Sequence, residues 1–241
     1  AMLARKRGQL QESGKIINGL LNSHPNHSNA IMLMARNLID QGKYQEAIKW
    51  SKSVYAYDPA ASAPGELQLD IYSDLGDWEK ALPVALRLTK QHPLNTGYLV
   101  RLALVYKELK DNNAAQRPLH RLYTLWDDNP EKLRDLAALQ VATKNLSAAR
   151  KSLVKALELD TQSVDVQLDL ARLLLAEGKP DDAAVAASEL QATFGDRGDL
   201  YYLQGEAALA NNELAAAQRH FSKAFELDRS GAALVQLYQL S

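Results

Sequence analysis

The sequence predicts an all-α fold of stacked helix-turn-helix units, and three observations carry that prediction. One six-residue pattern recurs at a fixed step: Gly42-Lys43-Tyr44-Gln45-Glu46-Ala47 and Gly76-Asp77-Trp78-Glu79-Lys80-Ala81 stand 34 residues apart. Further steps of 34 land on Lys110–Ala115, Lys144–Ala149, Gly178–Ala183 and Asn212–Ala217, and one step back gives Gly8–Ser13, with no insertion anywhere. A period of this length is the signature of a repeat array. Ala and Leu dominate while aromatic residues make up only 7%, a balance that favours helix. Finally, Leu99, Leu102, Ala103, Tyr106 and Leu109 recur at spacings of three and four, the apolar stripe of one helix face.

Each hexad has the chemistry of a turn followed by a helix start. Its first residue (Gly, Lys or Asn) can end a helix in the left-handed conformation, glycine at least cost. Asp77, Asp111 and Asn145 then offer a side-chain oxygen to the free amides of the next helix. The hexad closes on a small residue, Ala47, Ala81, Ala115, Ala149, Ala183 or Ala217, where two helices must approach closely. First helices are predicted near residues 28–41, 62–75, 96–109, 130–143, 164–177 and 198–211, giving fourteen or fifteen helices in all. The units then read as a partial one at 1–27, full ones at 28–61, 62–95, 96–129, 130–163, 164–197 and 198–231, and a partial one at 232–241. A single hairpin cannot bury its own stripe, so neighbours must stack into one array over 1–241. Ala232, Leu234, Val235 and Leu237 start a unit that is not completed, and the first turn at Gly8 has little chain before it. Arrays usually finish on a polar capping helix, so a segment of a longer protein is expected. Pro83 and Pro118 fall inside second helices and are expected to bend them.

These residues resemble the tetratricopeptide repeat, whose signature is W-x2-L-G-x2-Y, then A-x3-F, then P, at a period of 34. The small first-helix position is filled by Ala35, Ala103, Ala137, Ala171 and Gly205, with Leu69 the exception. The signature tyrosine survives as Tyr72 and Tyr106, A-x3-F reads best as Ala217 to Phe221, and the proline appears as Pro25, Pro59 and Pro93. The resemblance covers essentially the whole chain and implies a right-handed α-solenoid that binds a protein partner and catalyses nothing. The last two units, from Leu168 to Lys179 and from Phe221 to Ser230, are similar in texture to the lipoproteins of bacterial exosortase (PEP-CTERM) exopolysaccharide loci. That similarity implies a periplasmic or envelope-associated scaffold held through an upstream lipid anchor. An assembly adaptor in the cytoplasm or at the inner membrane, and a glycan-binding array, are the alternatives.

Composition narrows the function. With 28 basic against 29 acidic residues, net charge is −1, which removes the electrostatic case for nucleic acid or an anionic membrane surface. The absence of cysteine excludes disulfides, thiol nucleophiles and Cys-based zinc sites, and leaves the redox compartment open. No stretch approaches the roughly 18 apolar residues of a membrane span. The opening Ala-Met-Leu-Ala-Arg-Lys-Arg is too short and too charged for a signal peptide. No nucleophile elbow, phosphate loop or dinucleotide fingerprint occurs. His24 and His27 flank Pro25 at metal-chelating spacing, but they fall at a repeat junction, as His92 does before Pro93. Asp127-Asp128 and Asp181-Asp182 sit at helix ends, where acids complement the dipole. The expectation is therefore no enzyme, no metal and no cofactor. Trp50, Trp78 and Trp126 lie on or beside second helices and read as packing residues.

In the repeat fold the resemblance implies, first helices line the concave face, where a partner would lie. The candidate partner-binding residues are Arg36, Glu66, Asp70, Asp74, Arg101, Lys107, Arg134, Asp169, Arg172, Tyr202 and Glu206. With Met32, Asp40, Glu108, Glu131, Asp135, Asp165 and Asp199 they place eleven acids against five bases on that face. The chain as a whole is nearly neutral, so an acidic groove and a basic or amphipathic peptide ligand are expected. Some tetratricopeptide proteins grip a carboxylate tail with a Lys/Asn/Arg clamp; Met32, Arg36, Glu66 and Asp70 occupy the matching positions here and do not form that set.

Overall fold

The computed structural model describes residues 1–2 and 8–240. The expected short helical stretch before Gly8 falls on residues 3–7, and Ser241 closes the chain; both lie outside the described residues. Fourteen α-helices occur among the described residues, and no strand. Helix α1 spans Leu10–Ser23, α2 Ser28–Asp40, α3 Tyr44–Ser53, α4 Ala63–Asp74, α5 Trp78–Gln91, α6 Thr96–Glu108 and α7 Asn112–Leu125. The second half continues with α8 Pro130–Ala142, α9 Leu146–Leu159, α10 Val164–Ala176, α11 Pro180–Phe194, α12 Gly198–Ala210, α13 Leu214–Asp228 and α14 Gly231–Gln239. Each predicted first helix (α2, α4, α6, α8, α10, α12) begins within one residue of its expected start.

The repeat turns explain this regularity. Gly8, Gly42, Gly76, Lys110, Lys144, Gly178 and Asn212, the first residues of all seven hexads, have φ between 59° and 77°. From the second turn onward each also closes the same pair of bonds: Gly42 N donates to Ile39 O (2.8 Å) and Lys43 N to Leu38 O (2.9 Å), and Asn212 and Glu213 repeat the pair on Leu209 and Ala208. This double closure satisfies carbonyls that the helix end would otherwise leave open. The next helix is then capped as anticipated, by Asp77 on Lys80 N (3.4 Å), Asp111 on Ala114 N (3.0 Å) and Asn145 on Ala148 N (3.2 Å). Asn95, Asn129 and Ser163 cap first helices in the same way.

The alanine that closes each hexad is 0% exposed in all six full repeats. A larger side chain at any of them would push two helices apart, which would break the stacking that buries the stripe. In four of the six repeats the small first-helix position balances in volume with the residue sixteen places later, while Ala35–Ser51 and Ala171–Ala187 pair small with small. Gly205 stands with Phe221, Ala137 with Leu153, and Leu69, the exception to the motif, with Ala85. At Gly205 the fit is tight: a Cβ there would come within 2.6 Å of the Phe221 ring.

One local departure has a physical cause. Helix α3 stops at Ser53 and tightens into a 3-10 turn at Val54–Ala56. Ser51 and Ser53 turn their hydroxyls onto the Ile48 and Trp50 carbonyls (2.9 and 2.7 Å), competing with the helical ladder. Helices α5 and α7 run through Pro83 and Pro118 without a break. Pro83 is exposed, so the Glu79 carbonyl that loses its amide can turn to water.

By packing, the chain divides into two compact units, residues 1–118 and 119–241. In the first, Ile17, Ile31, Leu69, Leu88 and Leu99 are among the buried side chains, and Trp50 and Trp78 pack against its core, as expected of them. In the second, Leu168, Leu200 and Leu203 form one cluster, and Ala208, Ala217 and Phe221 another.

Candidate partner-binding face

In the first unit the candidate residues converge on α4. Arg36 of α2 and Glu66 and Asp70 of α4 line a recess of about 380 Å3, floored by Ile39, Ala63 and Leu67. The Tyr98 hydroxyl donates to Glu66, and Arg101 pairs with Asp70. Burial raises the Tyr98 phenol above its ordinary value and Glu66 adds to that rise, while burial pulls the Arg101 guanidinium down. Asp74, one turn beyond Asp70, is exposed and has no ion-pair partner among the described residues. Lys107 is occupied by its neighbour Glu108 at 2.8 Å. Met32 is buried, and it lines a recess with Leu33, Arg36 and Ala63.

In the second unit most of the acids on this face are paired. Arg134 of α8 donates from Nε to Asp169 (2.7 Å) and from Nη1 to Asp165 (3.2 Å) of α10. Arg172 stands 3.6 Å from the other oxygen of Asp169. Arg197, just before α12, reaches Asp199 at 2.7 Å and Asp165 at 3.4 Å. Burial opposes the Arg134 charge, but Asp169 and Asp165 outweigh it and its pKa is raised. The Arg197 guanidinium holds Asp199 below the usual carboxylate range. Glu206 is half-buried and its pKa is raised by that burial, with Arg172 pulling the other way. Three arginines therefore face four carboxylates in one ladder across three first helices. A simple charge tally treats these acids as available; the structure pairs them across repeats.

Tyr202 lies at a core edge, its ring 5.2 Å from that of Phe221. Among the described residues no group of three His, Asp or Glu side chains is arranged to hold a metal. His27 instead accepts the Ala30 amide through Nδ1 at 3.3 Å, capping α2. Asp181 and Asp182 sit in the first turn of α11, where Asp181 also accepts from Asn211 (2.6 Å). No helix of the described residues is long and apolar enough to cross a membrane.

Stacked helical hairpins with an ordered polar face define a helical-repeat fold. The fold is that of the tetratricopeptide repeat. Family models described as Tetratricopeptide repeat match residues 141–207 and 198–230. The C-terminal part of a TPR repeat-containing protein from Cytophaga hutchinsonii superposes with a TM-score of 0.64 at 18% identity, over 98% of this chain and 97% of that one. A tetratricopeptide repeat protein from Parabacteroides merdae gives 0.59 at 19% identity, over 98% and 94%. A chain in the structure of Naa15/Naa10 bound to HypK-THB gives 0.59 at 14% identity, covering 99% of this chain and 38% of that one. No curated protein matches the chain. Proteins of this fold generally act as non-catalytic scaffolds and bind protein partners.

Proposed function

We propose that this chain is a non-catalytic scaffold that holds a basic or amphipathic protein segment along its first helices, with Glu66, Asp70 and Asp74 as the principal contact. The observation that carries the reading is the charge excess on α4. Three acids at i, i+4 and i+8 share one helix face, and Arg101 is the one base paired with them among the described residues. Like charges at that spacing cost a helix a few tenths of a kcal/mol per pair, roughly, which a cationic partner would offset. Arg36 at the edge of the recess would then orient the segment by donating to a carboxylate or a carbonyl on it. The unbroken 34-residue register supports reading residues 1–241 as one array.

The similarity of the last two units to exosortase-locus lipoproteins supports a place in the bacterial envelope. There the scaffold would organise exopolysaccharide synthesis or export machinery, tethered by an upstream anchor. A lipobox signal at the start of the full gene is the expected finding, and a leaderless start would favour a cytoplasmic adaptor instead. For the contact itself, Glu66→Lys, Asp70→Lys and Asp74→Lys are combined, and binding to cell-envelope extract is measured at low and moderate salt. Loss of a salt-sensitive partner is expected. Binding that is unchanged by the reversal, or insensitive to ionic strength, would leave the α4 acids without a role.

A further inference from the structure

Charge is sorted unevenly among the helices. Helix α4 carries Glu66, Asp70 and Asp74 and no base, whereas α7 and α9 carry Arg117, Arg121, Arg150, Lys151 and Lys155 against one acid, Glu158. Arg150 is held by Glu177, and Lys155 stands 3.5 Å from Glu158. Arg121 and Lys151 are exposed and have no ion-pair partner among the described residues. We propose that Arg121, Lys151 and Lys155 form a docking strip for a second copy of this chain, which lays its α4 acids against them. The inference rests on the reading of the α4 acids as a seat for a basic protein segment, and it names that segment.

The strip lies within the second unit. Arg121 and Lys155 hold the same register 34 positions apart, so they project alike from successive second helices. Lys151 precedes Lys155 by one turn on the same helix face. Its ammonium sits 5.0 Å from the centre of the Tyr123 ring, which brings α9 against α7 there. Lys151–Lys155 and Glu66–Asp70 are both i,i+4 pairs, so the two rows of charge share one pitch, about 6 Å. Arg101 offsets one of the three α4 acids and leaves that row net negative. Glu158, one turn beyond Lys155, is the carboxylate available to Arg36 at the edge of the α4 recess. On α3 and α13 the register of Lys151 is basic too, at Lys49 and Arg219, but Glu46 stands one turn before Lys49 and Glu226 holds Lys223 at 3.3 Å. Whole-chain charge permits the contact: at a net charge of −1 two copies do not repel, a balance that favours association. The same balance disfavours an anionic membrane, because acids elsewhere on the chain cancel the field of the strip beyond a Debye length. The two patches differ, so the contact between copies is heterologous.

The test is sedimentation equilibrium of the full chain from about 5 to about 200 µM, at about 50 and about 500 mM NaCl. At low salt the weight-average mass should climb above that of the monomer with concentration, and at high salt it should fall back towards it. Arg121→Glu, Lys151→Glu and Lys155→Glu combined should weaken association about ten-fold or more, and so should Glu66→Lys, Asp70→Lys and Asp74→Lys combined. An equimolar mixture of the two reversed proteins should associate again, since each then offers the other opposite charge at both patches. Far-UV circular dichroism reports their folds. Arg121→Gln, Lys151→Gln and Lys155→Gln replace the base reversal should it unfold the chain, and Glu66→Gln, Asp70→Asn and Asp74→Asn the acid reversal. A wild type that stays monomeric at low salt would overturn the proposal, as would association that salt does not weaken. So would a folded variant that associates like the wild type, or a mixture of the reversed proteins that stays monomeric. Binding of a monomeric wild type to phosphatidylglycerol vesicles, lost on reversal of the bases, would give the strip to a lipid surface and overturn it equally. A lysine-bearing peptide separates this proposal from the reading beneath it. If the wild type is monomeric yet its α4 amides shift with the peptide, only the second copy falls; if neither binds, the α4 reading falls too.

Discussion

The Gly205–Phe221 contact allows one substitution to be followed with opposite signs at two sites. Gly19 lies in the interior of α1, exposed, with nothing within 4 Å of where an alanine methyl would sit; Gly205 lies in α12, where that carbon would be 2.6, 2.8 and 2.9 Å from three atoms of the Phe221 ring. Replacing glycine by alanine in an open helix interior gains about 1 kcal/mol in backbone entropy. At Gly19→Ala that gain should appear whole. At Gly205→Ala the same gain is set against overpacking of about 1–3 kcal/mol, because Phe221 is 0% exposed and has nowhere to move. The net is a loss of about 0–2 kcal/mol, so the two variants should differ by about 1–3 kcal/mol. Phe221→Leu added to Gly205→Ala recreates the Ala137–Leu153 pairing of another repeat and should recover part of the loss, a favourable coupling in the double-mutant cycle. Urea unfolding followed by circular dichroism supplies the midpoints, with amide exchange on α12 and α13 as the local readout, since repeats need not unfold in one step. Gly205→Ala stabilising as much as Gly19→Ala would refute the volume balance.

Other outcomes follow from the turns and the ion pairs. Lys144 holds φ at 59° where Gly42, Gly76 and Gly178 occupy the same register. Lys144→Gly should therefore raise the urea midpoint, by about 0.5–1 kcal/mol of stability, while Gly178→Ala should lower it. Arg150 donates to Glu177 through two nitrogens (3.1 and 2.7 Å), and with Lys179 it lowers the Glu177 pKa. A lowered folded pKa means stability that is present above the unfolded carboxylate value and lost as pH falls through the folded one. Glu177→Gln should thus be costly at neutral pH and nearly silent at acid pH below both values, read as converging urea midpoints. Glu206, raised by burial, runs the other way: its contribution is full below the unfolded value and is lost as pH rises through the folded one, so Glu206→Gln should gain most at neutral pH.

Much of this was legible in the chain because the repeat is a local code. A residue that must adopt positive φ, a cap one position later and an alanine at the helix crossing are set by neighbours in sequence, and all seven turns show the expected backbone. The site was less legible because its electrostatics join residues one repeat apart. Arg134 meets Asp165 and Asp169 across 31 and 35 positions, and Arg101 meets Asp70 across 31. Counting charges along each helix finds the acids and misses their partners. Opposite charges separated by about one period would have been the signal. Met32 shows the same limit for apolar side chains: its place on the first helix suggests exposure, and the side chain is buried. Tyr202 meets the Phe221 ring, nineteen positions later, at 5.2 Å, a contact between two helices that sequence spacing alone does not reveal.

The central claim is that partners are held on the first helices through the α4 acids. Its most direct test is an amide-shift map of the 15N-labelled chain titrated with a lysine-bearing amphipathic peptide. The account predicts shifts on α2, α4 and α6, strongest around Glu66, Asp70 and Asp74 and abolished when those three are changed to lysine. Shifts confined to α3 and α5, or a pattern that persists after the charge reversal, would contradict it.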